Sequence, residues 1–158
     1  MKMVEKNRSV SEKYLQTLLT YYEEEVSGES YFYCLAEHFS EKEKTILLAR
    51  IERVAAKAVE PLLKKYNLVS RDEKVLHQEG LSHVDQHQSY SWNQFMTYIV
   101  ERYPGYLDEF EDLEAMAPKE DLPALKRLTE HEIIVIDFAH KELAGNQDSI
   151  DPLMDYLS

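Results

Sequence analysis

A chain of 158 residues is long enough to bury most of its apolar surface in one domain, and positions 1–158 read as a single helical unit. Thirty acidic against 18 basic side chains give a net charge of −12, which excludes a nucleic-acid backbone or an anionic membrane as natural partner, because both need clustered Lys and Arg. No apolar run approaches the roughly 20 residues that span a bilayer, the N-terminus lacks a signal-like apolar stretch, and the single cysteine, Cys34, has no internal partner, so the expectation is a cytoplasmic protein without disulfides.

Capping signals divide the chain into helices. Ser9 and Glu12 form a predicted capping box that opens a first helix running to Phe39. A second box, Ser40 to Glu43, starts a helix to about Asn67, with Pro61 inside it as a kink or break. Ser70 to Glu73 is a third box, predicting a shorter polar helix through Tyr90. The next helix begins near Ser91-Trp92 and carries Phe95, Ile99, Phe110 and Leu113, and Pro104-Gly105 is expected to split it into two segments at an angle. After Pro118, Asp121 is the expected N-cap of a helix that has Pro123 in its first turn and stops at Gly145-Asn146. A short tail helix capped by Ser149 or Asp151 ends near Leu157. No segment alternates as a strand would, so the fold class is all-α. Two antiparallel helical hairpins joined by a long, partly helical crossover describe the expected four-helix bundle.

Four glutamates interrupt the apolar seams of these helices: Glu25 and Glu29 on the first, Glu52 on the second and Glu132 on the fifth. A carboxylate turned into such a core costs several kcal/mol unless it is neutralised, paired or bound to a metal. Glu29 lies 11 residues before Ser40 and Glu52 lies 12 after it, which places both about 16 Å from the connecting turn. Glu132 lies 11 residues after Asp121, at a similar distance from the opposite end, and Glu25 is one turn from Glu29. The spacing therefore allows a mid-bundle acidic cluster.

With Glu25-Val26-Ser27-Gly28-Glu29 on the first helix, Ile51-Glu52-Arg53-Val54-Ala55 on the second and His131-Glu132 on the fifth, the chain resembles the ferritin-like superfamily, in particular its small rubrerythrin-like members. The resemblance implies a di-metal site, iron or manganese, held by one Glu from each of two helices and a Glu-x-x-His from each of the other two. Glu29 matches the first-helix ligand. Glu52 and Glu132 match the two motif carboxylates, but Ala55 and Val135 stand where the histidines belong. On the fourth helix Glu109, flanked by Asp108 and Asp112, is the best-placed candidate. His131 points about 100° away from Glu132 around its helix and His140 lies off the seam, so neither is expected to substitute. His83 and His87 have the i, i+4 spacing of a ligand pair, yet their polar setting reads as solvated surface.

Two function classes follow. The missing histidines favour a degenerate ferritin-like bundle that holds little or no metal and acts as a binding or interaction module for an unidentified ligand. Its glutamates would then pair with Arg50, Arg53 or Lys57, or be protonated against Tyr22, Tyr33 or Tyr106. The alternative is a di-metal oxidoreductase or metal-handling protein using Glu25, Glu29, Glu52 and Glu132, with Glu109 as the fourth-helix contributor; all-oxygen ligands would favour Mn, Mg or Ca over zinc or copper. A helical enzyme applying the acidic cluster to an organic substrate is a third option. A homodimer and a small-molecule ligand in the bundle core remain open as partners. The many tyrosines read first as core, and as a pocket lining second.

Overall fold

The computed structural model describes residues 10–158, and within them the chain is all-helical. Six α-helices follow in order: α1 (Glu12–Leu35), α2 (Lys42–Lys65), α3 (Glu73–Ser82), α4 (Trp92–Met116), α5 (Leu122–Leu143) and α6 (Asp151–Leu157), with short 3₁₀ turns at Val84–Gln86 and Lys119–Asp121. No described helix is long and apolar enough to cross a membrane.

The helix starts are set by a different selection of caps from the one read in the sequence. Ser9 lies outside the described residues; Ser11 is the N-cap of α1, its side chain accepting from the Tyr14 N–H at 3.0 Å. Ser40 does not cap α2, because its hydroxyl donates to the adjacent Glu41 carboxylate at 2.6 Å instead. Asp72 rather than Ser70 caps α3, accepting from Lys74 N–H. Only α4 has the full capping box, between Ser91 and Gln94. The predicted split at Pro104-Gly105 is absent: α4 is continuous, and so is α2 through Pro61, because each proline lies on an exposed side where water can take up the carbonyl it frees. The crossover helix stops at Ser82 and not at Tyr90. The chain beyond it turns inward to bury Val84 and His87, which a straight polar helix would leave outside. His83 and His87 therefore do not share a helical face, and His87 packs among aromatic rings with its Nδ1 against the Tyr31 hydroxyl at 2.5 Å. Ser149 and Asp151 leave α6 without a side-chain cap, Ser149 donating to Glu142 instead.

Helix directions follow from contacts. Tyr22 reaches Glu60 and Glu29 reaches Arg53, so α1 and α2 are antiparallel. Lys44 meets Glu142 and Lys65 meets Asp121, so α2 and α5 are antiparallel as well. Thr129 meets Glu114 while Trp92 meets Glu142, which sets α4 antiparallel to α5 and hence parallel to α2. The crossover helix α3 lies on the outer side of α1. Gly80 makes that approach possible, since a Cβ there would collide with the Ser27 carbonyl and the Ser30 hydroxyl.

The apolar core comes in two large blocks and a small third one of Val26, Ala56 and Leu76 beneath α3. One large block is built on Phe32, Leu35, Leu48, Ile51, Phe95, Ile99, Val135 and Phe138, the other on Tyr14, Leu18, Ala55, Val59, Phe110, Leu113, Leu125 and Leu128. Between Leu18 and Phe32 on α1, Ile51 and Ala55 on α2, and Leu128 and Val135 on α5 lies a polar layer.

The second block is closed by Asp121, which stands at the N-cap position of α5 as expected but makes no side-chain capping bond. Its backbone is helical (φ −87°, ψ −16°) and its buried carboxylate turns inward, accepting from Tyr14 Oη (2.7 Å), Tyr66 Oη (2.5 Å) and Lys65 Nζ (2.6 Å). Burial alone would raise its pKa, but these three donors outweigh it and hold the carboxyl below its ordinary value. Asp121→Ala is expected to cost about 2–4 kcal/mol in denaturant unfolding, because it strands buried hydroxyls and breaks a buried ion pair. Since the native pKa is depressed, this contribution is complete above the usual carboxylate range and lost as pH falls through the lowered value, so the wild-type advantage should vanish in acid unfolding curves.

Candidate metal centre

The polar layer is organised around one imidazole. His131, on α5, is only 1% exposed, and its Nε2 lies 3.0 Å from Glu25 Oε2 on α1, 3.2 Å from Glu52 Oε2 on α2 and 3.5 Å from Glu132 Oε2 on its own helix. The Phe110 ring covers it edge-on from α4 at 5.5 Å between centroids. Glu25 and Glu132 are 6% and 5% exposed.

The other ring nitrogen decides the chemistry. Nδ1 lies against the Leu128 carbonyl oxygen, one turn back, and a carbonyl can only accept. Nδ1 therefore carries a proton, and the Nε2 that faces three carboxylates is either protonated as well or turned to a cation with its lone pair. A neutral ring with a bare Nε2 would set a lone pair against three anions. Fixing one ring nitrogen on a backbone carbonyl so that the other is free to coordinate is the common second-shell arrangement of metal-binding histidines.

The carboxylates are short of donors. Glu25 Oε2, Glu52 Oε2 and Glu132 Oε1 are buried and accept no hydrogen bond in proper geometry. Among the described residues no Lys or Arg pairs with any of the three. Three carboxylates against one imidazole leave the layer negative unless protons or a cation compensate. Burial, followed by the Glu25 charge, pushes Glu52 well above the usual carboxylate range against the pull of His131. Burial pushes Glu132 up to about 8, with Glu52 and Glu109 adding to the shift and His131 opposing it. For His131, burial works against the charged ring, but Glu25 and Glu52 outweigh it and hold its pKa well above the ordinary histidine value.

One atom from each of Glu25, Glu52 and His131 lies within 4.8 Å of the others, a spacing that a single cation can close. The donor set fits: two hard oxygen ligands and one imidazole, with Glu132 alongside. Gly28 makes room for it. A Cβ on Gly28 would sit 2.9 Å from Glu52 Oε1 and 3.1 Å from its carboxyl carbon, so the absence of a side chain on α1 is what lets the Glu52 carboxylate stand there.

The remaining sequence candidates fall elsewhere. Glu29 leaves the cluster: Arg53 Nε donates to its Oε2 at 2.9 Å and Arg53 Nη2 lies 2.8 Å from its Oε1, while the same guanidinium holds Glu73 at 2.6 Å. Glu29, Glu73 and His77 have ligand-like spacing, but Arg53 already supplies the cation there. Glu109 is exposed on α4 and lines the approach to the layer without meeting His131. Tyr22 bonds Glu60, and Tyr33 and Tyr106 are exposed, so none of the three serves the seam carboxylates. Glu142 is satisfied by Lys44, Trp92 and Ser149. His131, set aside on its angular offset, is the centre of the layer: α5 is buried over a wide arc, and two long adjacent side chains converge on one point from directions 100° apart.

Above the layer, between α1 and α4 and bounded at one end by the crossover, lies a cleft of about 570 Å³ whose floor includes Glu25, Glu52 and Glu132 and whose α4 wall carries Tyr98, Tyr103 and Tyr106.

No family model, curated protein or solved structure matches this chain.

Because Gly28 positions Glu52, Gly28→Ala should shift the carboxylate away from His131 while leaving global stability within about 1 kcal/mol, the helical gain of alanine offsetting the crowding. The expected result in an NMR titration of the metal-free protein is a lower His131 pKa than in the wild type, since one of the two anions that raise it has moved. An unchanged His131 titration in a cooperatively folded variant would contradict this role.

Proposed function

We propose that the protein is a ferritin-like four-helix metalloprotein in which Glu25, Glu52 and His131 hold a single first-row divalent cation at the floor of the tyrosine-lined cleft, with Glu132 beside it. The observation that carries this reading is the His131 imidazole, tied by Nδ1 to a backbone carbonyl and presenting Nε2 to buried carboxylate oxygens that lack donors. The helix order and directions support the ferritin-like part: two antiparallel pairs, with α2 and α4 made parallel by a crossover that contains α3. The metal set departs from the di-metal pattern of that superfamily. Ala55 and Val135 leave both expected histidine positions apolar, Glu29 is committed to Arg53, and the one histidine present enters from the position preceding Glu132.

One imidazole among carboxylates suits Fe²⁺, Mn²⁺ or Zn²⁺ better than Ca²⁺ or Mg²⁺, which prefer oxygen alone. Such a cation would supply a Lewis-acid centre facing the cleft. The chain's own residues contribute the rest: Leu128 fixes the imidazole tautomer, Phe110 and the two apolar blocks limit water at the layer, and Gly28 keeps Glu52 in place.

A second reading, a metal-free binding module, is favoured by the raised pKa values of Glu52 and Glu132, which let retained protons and a charged His131 neutralise the layer. Metal titration separates the two. Equilibrium dialysis of chelator-stripped protein against Mn²⁺ or Zn²⁺ should give one ion per chain, and saturating metal should raise the melting temperature by about 5–10 °C. Glu52→Gln should weaken binding at least about 100-fold, and wild-type affinity should fall as pH is lowered from about 8 to about 6, because metal must displace the protons these groups hold. Less than a tenth of an ion per chain (about 0.1) at millimolar metal, with no shift in melting, would leave the metal-free module as the function.

A further inference from the structure

The cleft offers a second kind of recognition that the cation at its floor does not use. Glu132 lines the cleft, and its buried Oε1 has no hydrogen-bond donor, while Oε2 of the same carboxylate is the one turned to His131. A buried acceptor of this kind calls for an N–H or O–H donor. Charge narrows the choice. Among the described residues seven glutamates line the cleft, and the only Arg or Lys there, Arg71, is held at Glu23 and Glu79. A carboxylate or phosphate ligand would be repelled, whereas a cationic donor would be drawn in.

The α4 wall supplies the apolar half of the site. Tyr103 and Tyr106 meet edge to face at 5.5 Å between ring centroids, and Tyr98 continues the series at 6.3 Å from Tyr103. Tyr106 is 44% exposed at the mouth, on the same helix as the exposed Glu109. Ring faces beside carboxylates form the usual setting for an ammonium carried on a methylene chain, whose positive end is attracted to the rings as well as to the acids.

We propose that the cleft binds a primary aliphatic amine as its ammonium ion, with N–H groups donating to Glu132 Oε1, methylenes against Tyr103 and Tyr106, and Glu109 adding negative potential at the mouth. A primary rather than a quaternary ammonium is required, because the buried oxygen needs a donated hydrogen. The proposal goes beyond the metal reading and stands apart from it: it uses an oxygen and an aromatic wall that the Glu25, Glu52 and His131 set leaves free.

The test is titration calorimetry with n-pentylamine on chelator-stripped protein and on protein carrying one equivalent of Zn²⁺, with n-pentanol and tetramethylammonium as controls. Saturable binding of one amine per chain with Kd below about 1 mM is expected in both forms, with both controls at least about tenfold weaker. Tyr106→Leu should weaken the amine by about threefold to thirtyfold, the range of one cation–aromatic contact, and Glu109→Gln by about threefold, both with unchanged melting temperature because both positions are exposed. Absence of saturable heat up to about 10 mM amine, equal binding of pentanol, or indifference to Tyr106→Leu would overturn the proposal. Amine binding that Zn²⁺ abolishes would place the ammonium on Glu25 and Glu52 and overturn the assignment to Glu132. Failure to bind Zn²⁺ in dialysis, by contrast, would count against the metal reading alone.

Discussion

The contact between His131 Nδ1 and the Leu128 carbonyl fixes one proton on the imidazole and leaves the other nitrogen, facing a buried acidic layer, to carry a second proton or to face a cation. Around it the two apolar blocks tolerate Glu25, Glu52 and Glu132 only because something positive sits among them. Remove the imidazole and three buried carboxylates with no Lys or Arg partner face one another, an arrangement that survives only by taking up protons.

Several local choices converge on that layer. Gly28 gives up a side chain on α1 to seat the Glu52 carboxylate, and Phe110 closes over the ring from α4. Arg53 draws Glu29 out of the centre by a two-pronged pairing, so the layer holds three acids rather than four. The outer acids are treated differently. Asp121 and Glu142 are each met by a lysine together with neutral donors and sit below the ordinary carboxylate range, where they act as clamps between helices. The contrast between satisfied acids at the ends and unsatisfied ones in the middle is what supports the proposal of a site at the centre.

Much of the architecture was legible in the sequence. Helix order, the short α1–α2 and α4–α5 connections and the helical crossover follow from 3–4 apolar spacing and the polar breaks between helices, which act locally even where a neighbouring residue supplies the cap. The seam positions Glu25, Glu52 and Glu132 were legible for the same reason. What failed depended on tertiary partners, on a competing bond to the next residue, or on exposure to water. Ser40 bonds a neighbour instead of capping; Asp121 is pulled inward by Tyr14 and Lys65, which are distant in sequence; and Pro104 is absorbed because its side of α4 faces water. Glu29 is held out of the cluster by Arg53, about three turns into the neighbouring helix and one of the three cations the sequence offered as partners for these glutamates. His131 was passed over on its 100° offset from Glu132, although Leu128, His131 and Val135 keep the same 3–4 spacing as Leu128, Glu132 and Val135; the buried arc of α5 is wide enough to carry both residues.

In the proposed centre His131 Nε2 shares a cation with Glu25 and Glu52. Anomalous diffraction at the zinc edge from crystals grown with Zn²⁺ tests it most directly. The predicted result is a single peak in the polar layer about 2.1 Å from His131 Nε2, with a carboxylate oxygen of Glu25 and of Glu52 at about the same distance. A layer with no peak, in which the imidazole remains at hydrogen-bonding distance from the carboxylates, would contradict it.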